Sequence, residues 1–160
     1  MSIILEKQIW SIDDLKDMGW HDSTLYAIAT IFDQDKITQL LSFDIDYIFK
    51  WVDPVAPSEF FSFHVAPCTL SFEDVEDLKI NLDCSDYAIE SQIEDIISKE
   101  VINKRPGFST IHWEVITING TISFDSPSFK QYVKKVPQHI ASQQLTKEQR
   151  GGINFEKELK

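Results

Sequence analysis

Two aspartates two positions apart, in Phe43-Asp-Ile-Asp-Tyr47, are the residues of this chain best spaced for chemistry. On an extended strand they point the same way, about 7 Å apart, and can share a hard cation such as Ca²⁺ or Mg²⁺. If burial raised the pKa of one carboxyl, the pair could instead divide acid and base roles. Asp44 and Asp46, with His64 should a neighbouring strand bring it near, form a first group of candidate binding residues. His112 and Glu114 form a second. A hairpin over Thr110 to Asp125 sets Glu114 opposite Asp125, a like-charge pair costing a few tenths of a kcal/mol that a protonated His112 or a bound cation would relieve.

Stronger assignments have no support. The histidines at 21, 64, 112 and 139 lack zincin spacing, and there is no Gly-x-Ser-x-Gly elbow, Walker loop or dinucleotide glycine pattern. No catalytic residue, metal ligand set or cofactor is therefore assigned. His21-Asp22-Ser23 has the letters of a catalytic triad, yet adjacent residues of an extended chain point apart. The pair reads better as a fastening, with Asp22 accepting backbone N–H groups in an Asx turn and His21 bridging a helix end to a neighbouring carbonyl.

The elements that position these residues read mainly as strands. Ser11 can cap a short helix, with Asp14 completing a variant capping box and Gly19 ending it. From Ser23, alternation places Leu25, Ala27, Ala29 and Ile31 on one side. Leu41, Phe43, Ile45, Tyr47, Phe49 and Trp51 then make a core face, and Ser42, Asp44, Asp46 and Lys50 a mostly wet one. Strands follow around Phe60–Val65, Thr69–Phe72 and Leu78–Leu82, where Cys84 continues the apolar phase and reads as a buried thiol, like Cys68. Tyr87 to Ile102 spaces Ile89, Ile93, Ile96 and Ile97 helically, while its β-branched content leaves room for a strand. Asn119-Gly120 suits a type I′ turn pairing Ile118 with Thr121 and Val115 with Phe124. After Pro127 a short amphipathic helix carries Phe129, Tyr132 and Val133. The predicted fold is α+β and mainly β: a curved or barrel-like, largely antiparallel sheet with a short N-terminal helix and one or two further helices. Residues 1–145 read as a single globular domain and 146–160 as a polar, mobile tail.

Charge narrows the partners. Asp and Glu number 26 against 15 Lys and Arg, a net charge of −11 that opposes counterion release and makes nucleic acid an unfavourable partner. The excess is uneven: residues 1–125 carry 23 acidic and 8 basic side chains, residues 126–160 carry 3 and 7. Such a body attracts a basic protein, and the basic tail has the charge to fold back on it. No apolar stretch approaches the length of a membrane span and no secretory signal is evident, so a cytoplasmic location without membrane attachment is expected.

Trp20-His-Asp-Ser23, Phe43-Asp-Ile-Asp-Tyr-Ile48, Ala66-Pro-Cys-Thr-Leu-Ser-Phe-Glu-Asp-Val-Glu-Asp-Leu78 and the Trp113 strand with Asn119-Gly120 together resemble an uncharacterised family of small bacterial cytosolic proteins, over about residues 19 to 144. The opening His-Asp-Ser before a strand is also similar to the N-termini of several groups of immunity proteins that neutralise bacterial toxins. These likenesses imply a bacterial cytosolic setting and no particular reaction, and they transfer no site residue. The leading expectation is a non-catalytic, immunity-like binding protein whose acidic surface meets a basic protein. The alternative is a metal-dependent or hydrolytic enzyme using the Asp44, Asp46 and His64 face. Self-association through Ile48, Ile116 and Ile118, apolar on otherwise polar faces, is a third course unless the sheet is covered on both sides.

Overall fold

The computed structural model describes residues 3–85 and 91–160. Its strands are β1 (Ile9–Ser11), β2 (Ser23–Asp33), β3 (Thr38–Val52), β4 (Ser62–Glu73), β5 (Glu76–Leu82), β6 (Gln92–Arg105), β7 (Phe108–Thr117), β8 (Gly120–Ser126), β9 (Ser128–Val133) and β10 (Gln138–Ile140). A 3-10 helix covers Ile12–Asp17 and a single helical turn, α1, covers Lys147–Arg150. The pairings are antiparallel in the order β1-β9-β4-β3-β2-β6-β7-β8-β5, with β10 added to β4. Among the described residues 58% are strand and 7% helix, so the chain is β-rich and the helices found there are few and short.

β2 meets β6 through the register pairs Ser23↔Ile93 and Thr24↔Gln92. The two halves then face each other across one core. Phe72 of β4 meets Trp113 and Phe124 of the other half, ring centroids 5.3 and 4.6 Å apart, in edge-on contacts that aromatic quadrupoles favour. The largely antiparallel sheet expected is present; of the curved and barrel-like forms anticipated for it, the closed barrel does not occur, β1 and β5 being the two ends of an open sheet among the described residues.

Two helix expectations change on the same physical ground: a strand ladder gains more than an isolated amphipathic turn. The segment predicted as a helix after Pro127 is β9, which fills the ladder position beside β4, Phe129 opposite Phe72. Most of the helical pattern from Tyr87 to Ile102 is β6, paired with β7. Tyr87 and Ile89, which entered that pattern, lie outside the described residues. The N-terminal helix is a 3-10 turn, its entry held by the Ser11 N–H donating to Asp14 Oδ2 at 2.9 Å. In β2 a bulge between Leu25 and Ala27 switches the alternation, so Leu25 is core while Ile28, opposite Phe43, is the next residue packed inward. Cys84 lies past the end of β5 and is exposed, whereas Cys68 is fully buried.

The face of β3 predicted to be wet is not. Ser42, Asp44, Asp46 and Ile48 are all buried, the chain from Lys134 onward running across Asp44, Asp46 and Ile48, and of that face Lys50 stays exposed. Ile48 packs with Val65 and Leu145, so it is no exposed contact for a second copy. Among the described residues no helix is long and apolar enough to cross a membrane.

Candidate functional site

Asp44 and Asp46 lie side by side on the outer face of β3, as their spacing requires, and both are completely buried. Their surroundings come almost wholly from the C-terminal segment. Asp44 accepts from Lys134 Nζ at 2.6 Å, from Arg150 through Nη2 at 2.8 Å and Nη1 at 3.0 Å, and from the Asn154 N–H at 3.1 Å. Asp46 accepts from Arg150 Nε at 3.2 Å, the Leu145 N–H at 2.9 Å and the Tyr26 hydroxyl at 2.8 Å. The β2 bulge places Tyr26 here, and its ring lies 3.7 Å beneath the guanidinium carbon. One planar fork thus spans both carboxylates, a geometry that Arg provides and Lys cannot.

Two carboxylates against one guanidinium and one ammonium make the set neutral. Burial raises the Asp46 carboxyl above its ordinary value, against the pull of the Leu145 N–H, Arg150 and Tyr26. Burial likewise lowers Lys134 and pushes the Tyr26 hydroxyl well above its usual range. Arg150 is held above its normal value: burial works against its charge, and the bonds to Asp44 and the charges of both aspartates outweigh it. The oxygens a cation would need are already taken by protein donors, so what this pair does chemically is anchor the chain end. The segment expected to be a mobile tail packs here, and its last residue returns to donate from the Lys160 N–H to the Lys134 carbonyl at 2.9 Å.

His64 does not join the pair. Its register partner on β3 is Lys50, and Asp46 stands opposite Pro67, three positions and about 10 Å further along β4. Alternation turns His64 to the other side of the sheet from Val65. There it is buried and stacked on His139, ring centroids 4.7 Å apart, with the His139 Nε2 2.7 Å from the Ser62 hydroxyl. Burial first, then His139 and Lys50, hold His64 below its ordinary pKa.

The second candidate group also differs from expectation. Glu114 faces Ser123, not Asp125, because the β7–β8 register is displaced by two: Thr117 pairs with Gly120, leaving Ile118 and Asn119 as the loop. The Thr117 hydroxyl favours this shorter ladder, donating to the Gly120 carbonyl at 3.0 Å and accepting from the Asn119 N–H at 3.1 Å. The like-charge pair never forms. His112 stands opposite Asp125 instead, Nδ1 to Oδ1 2.6 Å, and Lys104 reaches the other oxygen at 2.5 Å while also holding Asp77 at 2.6 Å. Glu114 is paired with Lys99 at 2.7 Å. The two candidate groups occupy different halves of the folded sheet.

His21 and Asp22 join three elements. The Asp22 N–H donates to the Ile93 carbonyl at 2.9 Å, and Asp22 Oδ2 accepts from the Gln143 amide at 2.9 Å rather than from the backbone of an Asx turn. His21 Nδ1 lies 2.9 Å from the Glu94 carbonyl oxygen, which with Asp22 raises its pKa. Beside it the Trp20 indole donates to Gln131 Oε1 at 2.8 Å.

The residues that motif reading missed are Tyr26, Lys134 and Arg150. The one sequence signal for the cations was the basic excess after residue 125, set against an acidic body. Among the described residues no group of three or more His, Cys, Asp or Glu is arranged to hold a metal ion. No family model, curated protein or solved structure matches the chain.

Proposed function

We propose that this chain is a binding protein, immunity-like and bacterial, whose acidic surface meets a basic protein partner. One observation carries the reading: Asp44, Asp46, Lys134 and Arg150 neutralise one another in the interior, so the whole net charge of −11 belongs to the residues outside that cluster. The basic tail spends two of its cations inside the fold and does not offset the acidic body where a partner would arrive. Such a field accelerates encounter with a cationic protein and disfavours anionic ones. A hydrolytic or metal-dependent role for Asp44, Asp46 and His64 has less support, since two cations already occupy the acids and the histidine stands apart.

The test is capture on the immobilised protein from a soluble bacterial extract, at low and at physiological salt, with the retained proteins identified by mass spectrometry. A retained set dominated by basic proteins, with association rates that fall as ionic strength rises, is the expected outcome. Retention indifferent to charge and to salt overturns the proposal.

A further inference from the structure

The turn between β2 and β3 carries a residue that folding does not explain. Ile37 has φ +52°, a left-handed conformation that is an outlier for a β-branched side chain, and that side chain is 80% exposed. Its backbone is strained and it buries little in return. Glycine or asparagine would occupy this position with less strain. Phe32, 57% exposed on the same hairpin, pairs with Gln39, and Gln39 and Ile37 both line a cleft of about 270 Å³.

The other walls of that cleft are Asp74, Val75, Glu76, Arg105 and Phe108. Asp74 accepts from the Thr38 hydroxyl through Oδ1, and Glu76 accepts from Arg105 through Oε1 at 3.3 Å. Among the described residues, neither Asp74 Oδ2 nor Glu76 Oε2 has a hydrogen-bond partner. Asp33 and Asp35 add charge to the same hairpin end, against Lys36. Two exposed apolar side chains therefore stand beside a small cleft with carboxylate oxygens to spare. Its complement is a segment that offers a cation next to an apolar side chain.

We propose that this end of the molecule is where the basic partner docks, a Lys or Arg of the partner entering the cleft toward Asp74 and Glu76 while an apolar neighbour rests on Ile37 and Phe32. The inference rests on the binding role proposed above and locates its contact surface. Fully desolvated apolar anchors ringed by complementary charge are the usual centres of binding energy in protein interfaces.

The test uses the full chain with a short fluorescent peptide of alternating arginine and leucine, and a counterpart with glutamate in place of arginine. Wild type is expected to bind the first and not the second. Ile37→Gly should weaken that binding about tenfold, the loss of one apolar anchor, and raise Tm by about 2 °C or more as strain is relieved. Asp74→Asn should weaken binding by a similar factor. Absence of wild-type binding to the arginine peptide overturns this inference, and the extract capture then judges the binding role separately. Binding that both variants leave within about twofold overturns the location alone. Sedimentation of the same samples reads the competing occupant: a wild-type dimer that Ile37→Gly dissociates assigns the surface to a second copy and overturns the basic partner.

Discussion

Asp44 and Asp125 are both aspartates of central strands, both more than nine-tenths buried, and both held by two cationic or protonatable side chains. They differ in where those partners stand. Lys134 and Arg150 are themselves buried, and the Asn154 N–H completes the shell around Asp44. His112 is partly exposed, and Lys104 divides its ammonium between Asp125 and the exposed Asp77. Water and salt can replace part of the second cluster and none of the first. Similar acids thus become a fixed internal joint in one place and a surface clasp in the other, and the difference lies in what covers the partners.

The largest expected effect breaks the joint. Arg150→Ala leaves Asp46 without its ionic partner and Asp44 with Lys134 alone, and should lower stability by about 3–5 kcal/mol in urea unfolding, the cost of a half-removed buried pair. Stability equal to wild type would erase the contrast. Asp125→Asn should cost less, about 1–2 kcal/mol, since hydrogen bonds to a charged group are lost where solvent can compensate.

Asp125 and Asp46, the neighbour of Asp44 in the internal joint, should also respond to pH with opposite sign. Burial pushes Asp125 up, but the bonds from Lys104 and His112 together hold it below the ordinary carboxylate value. A depressed folded value contributes stability that is present above the unfolded value, about 3.9, and lost as pH falls through the folded one. Asp46, raised by burial, contributes stability below the unfolded value that is lost as pH rises through its folded one. Unfolding free energies from about pH 5 down to about pH 2 should therefore fall less steeply on acidification for Asp125→Asn than for wild type. Parallel profiles would mean that the clasp does not hold the charge.

The smallest effect concerns the histidine left outside both clusters. With its folded value lowered by burial, His139 and Lys50, His64 contributes stability that is present above about 6.5 and lost as pH falls through that folded value. His64→Phe puts an aromatic ring in the same buried place and should stay within about 1 kcal/mol of wild type near pH 7.5, then hold its stability better toward about pH 5. Calorimetric scans at the two pH values decide it. Equal acid sensitivity would shift the origin of that slope to another group.

How far local pattern reached depends on the residue. Alternation through Leu41, Phe43, Ile45 and Tyr47 identified a core face correctly, because side-chain direction in a strand has a period of two whatever the strand packs against. Asn119-Gly120 marked the right hairpin but not its register. Gly120 sits in the ladder at φ +145°, where a Cβ would fall 2.0 Å from the Asn81 carbonyl oxygen, so the glycine serves the close approach of β5. The Leu25–Ala27 bulge that delivers Tyr26 to Asp46 left no periodic signature either, since one inserted residue changes the phase without changing the composition.

The amino-acid sequence by itself determined the β-rich class, the acidic excess, the shared face of Asp44 and Asp46, and the existence of the β7–β8 hairpin. All of these follow from interactions between near neighbours or from charge totals. Only the tertiary structure decided what that face is for. Arg150 lies 106 residues from Asp44, and no local periodicity links two side chains that far apart. Their meeting follows from β9 and β10 extending the sheet beside β4, which sends the chain end across the outer face of β3 and brings its cations to the two acids. Once there, the cost of leaving a buried charge unpaired holds them together.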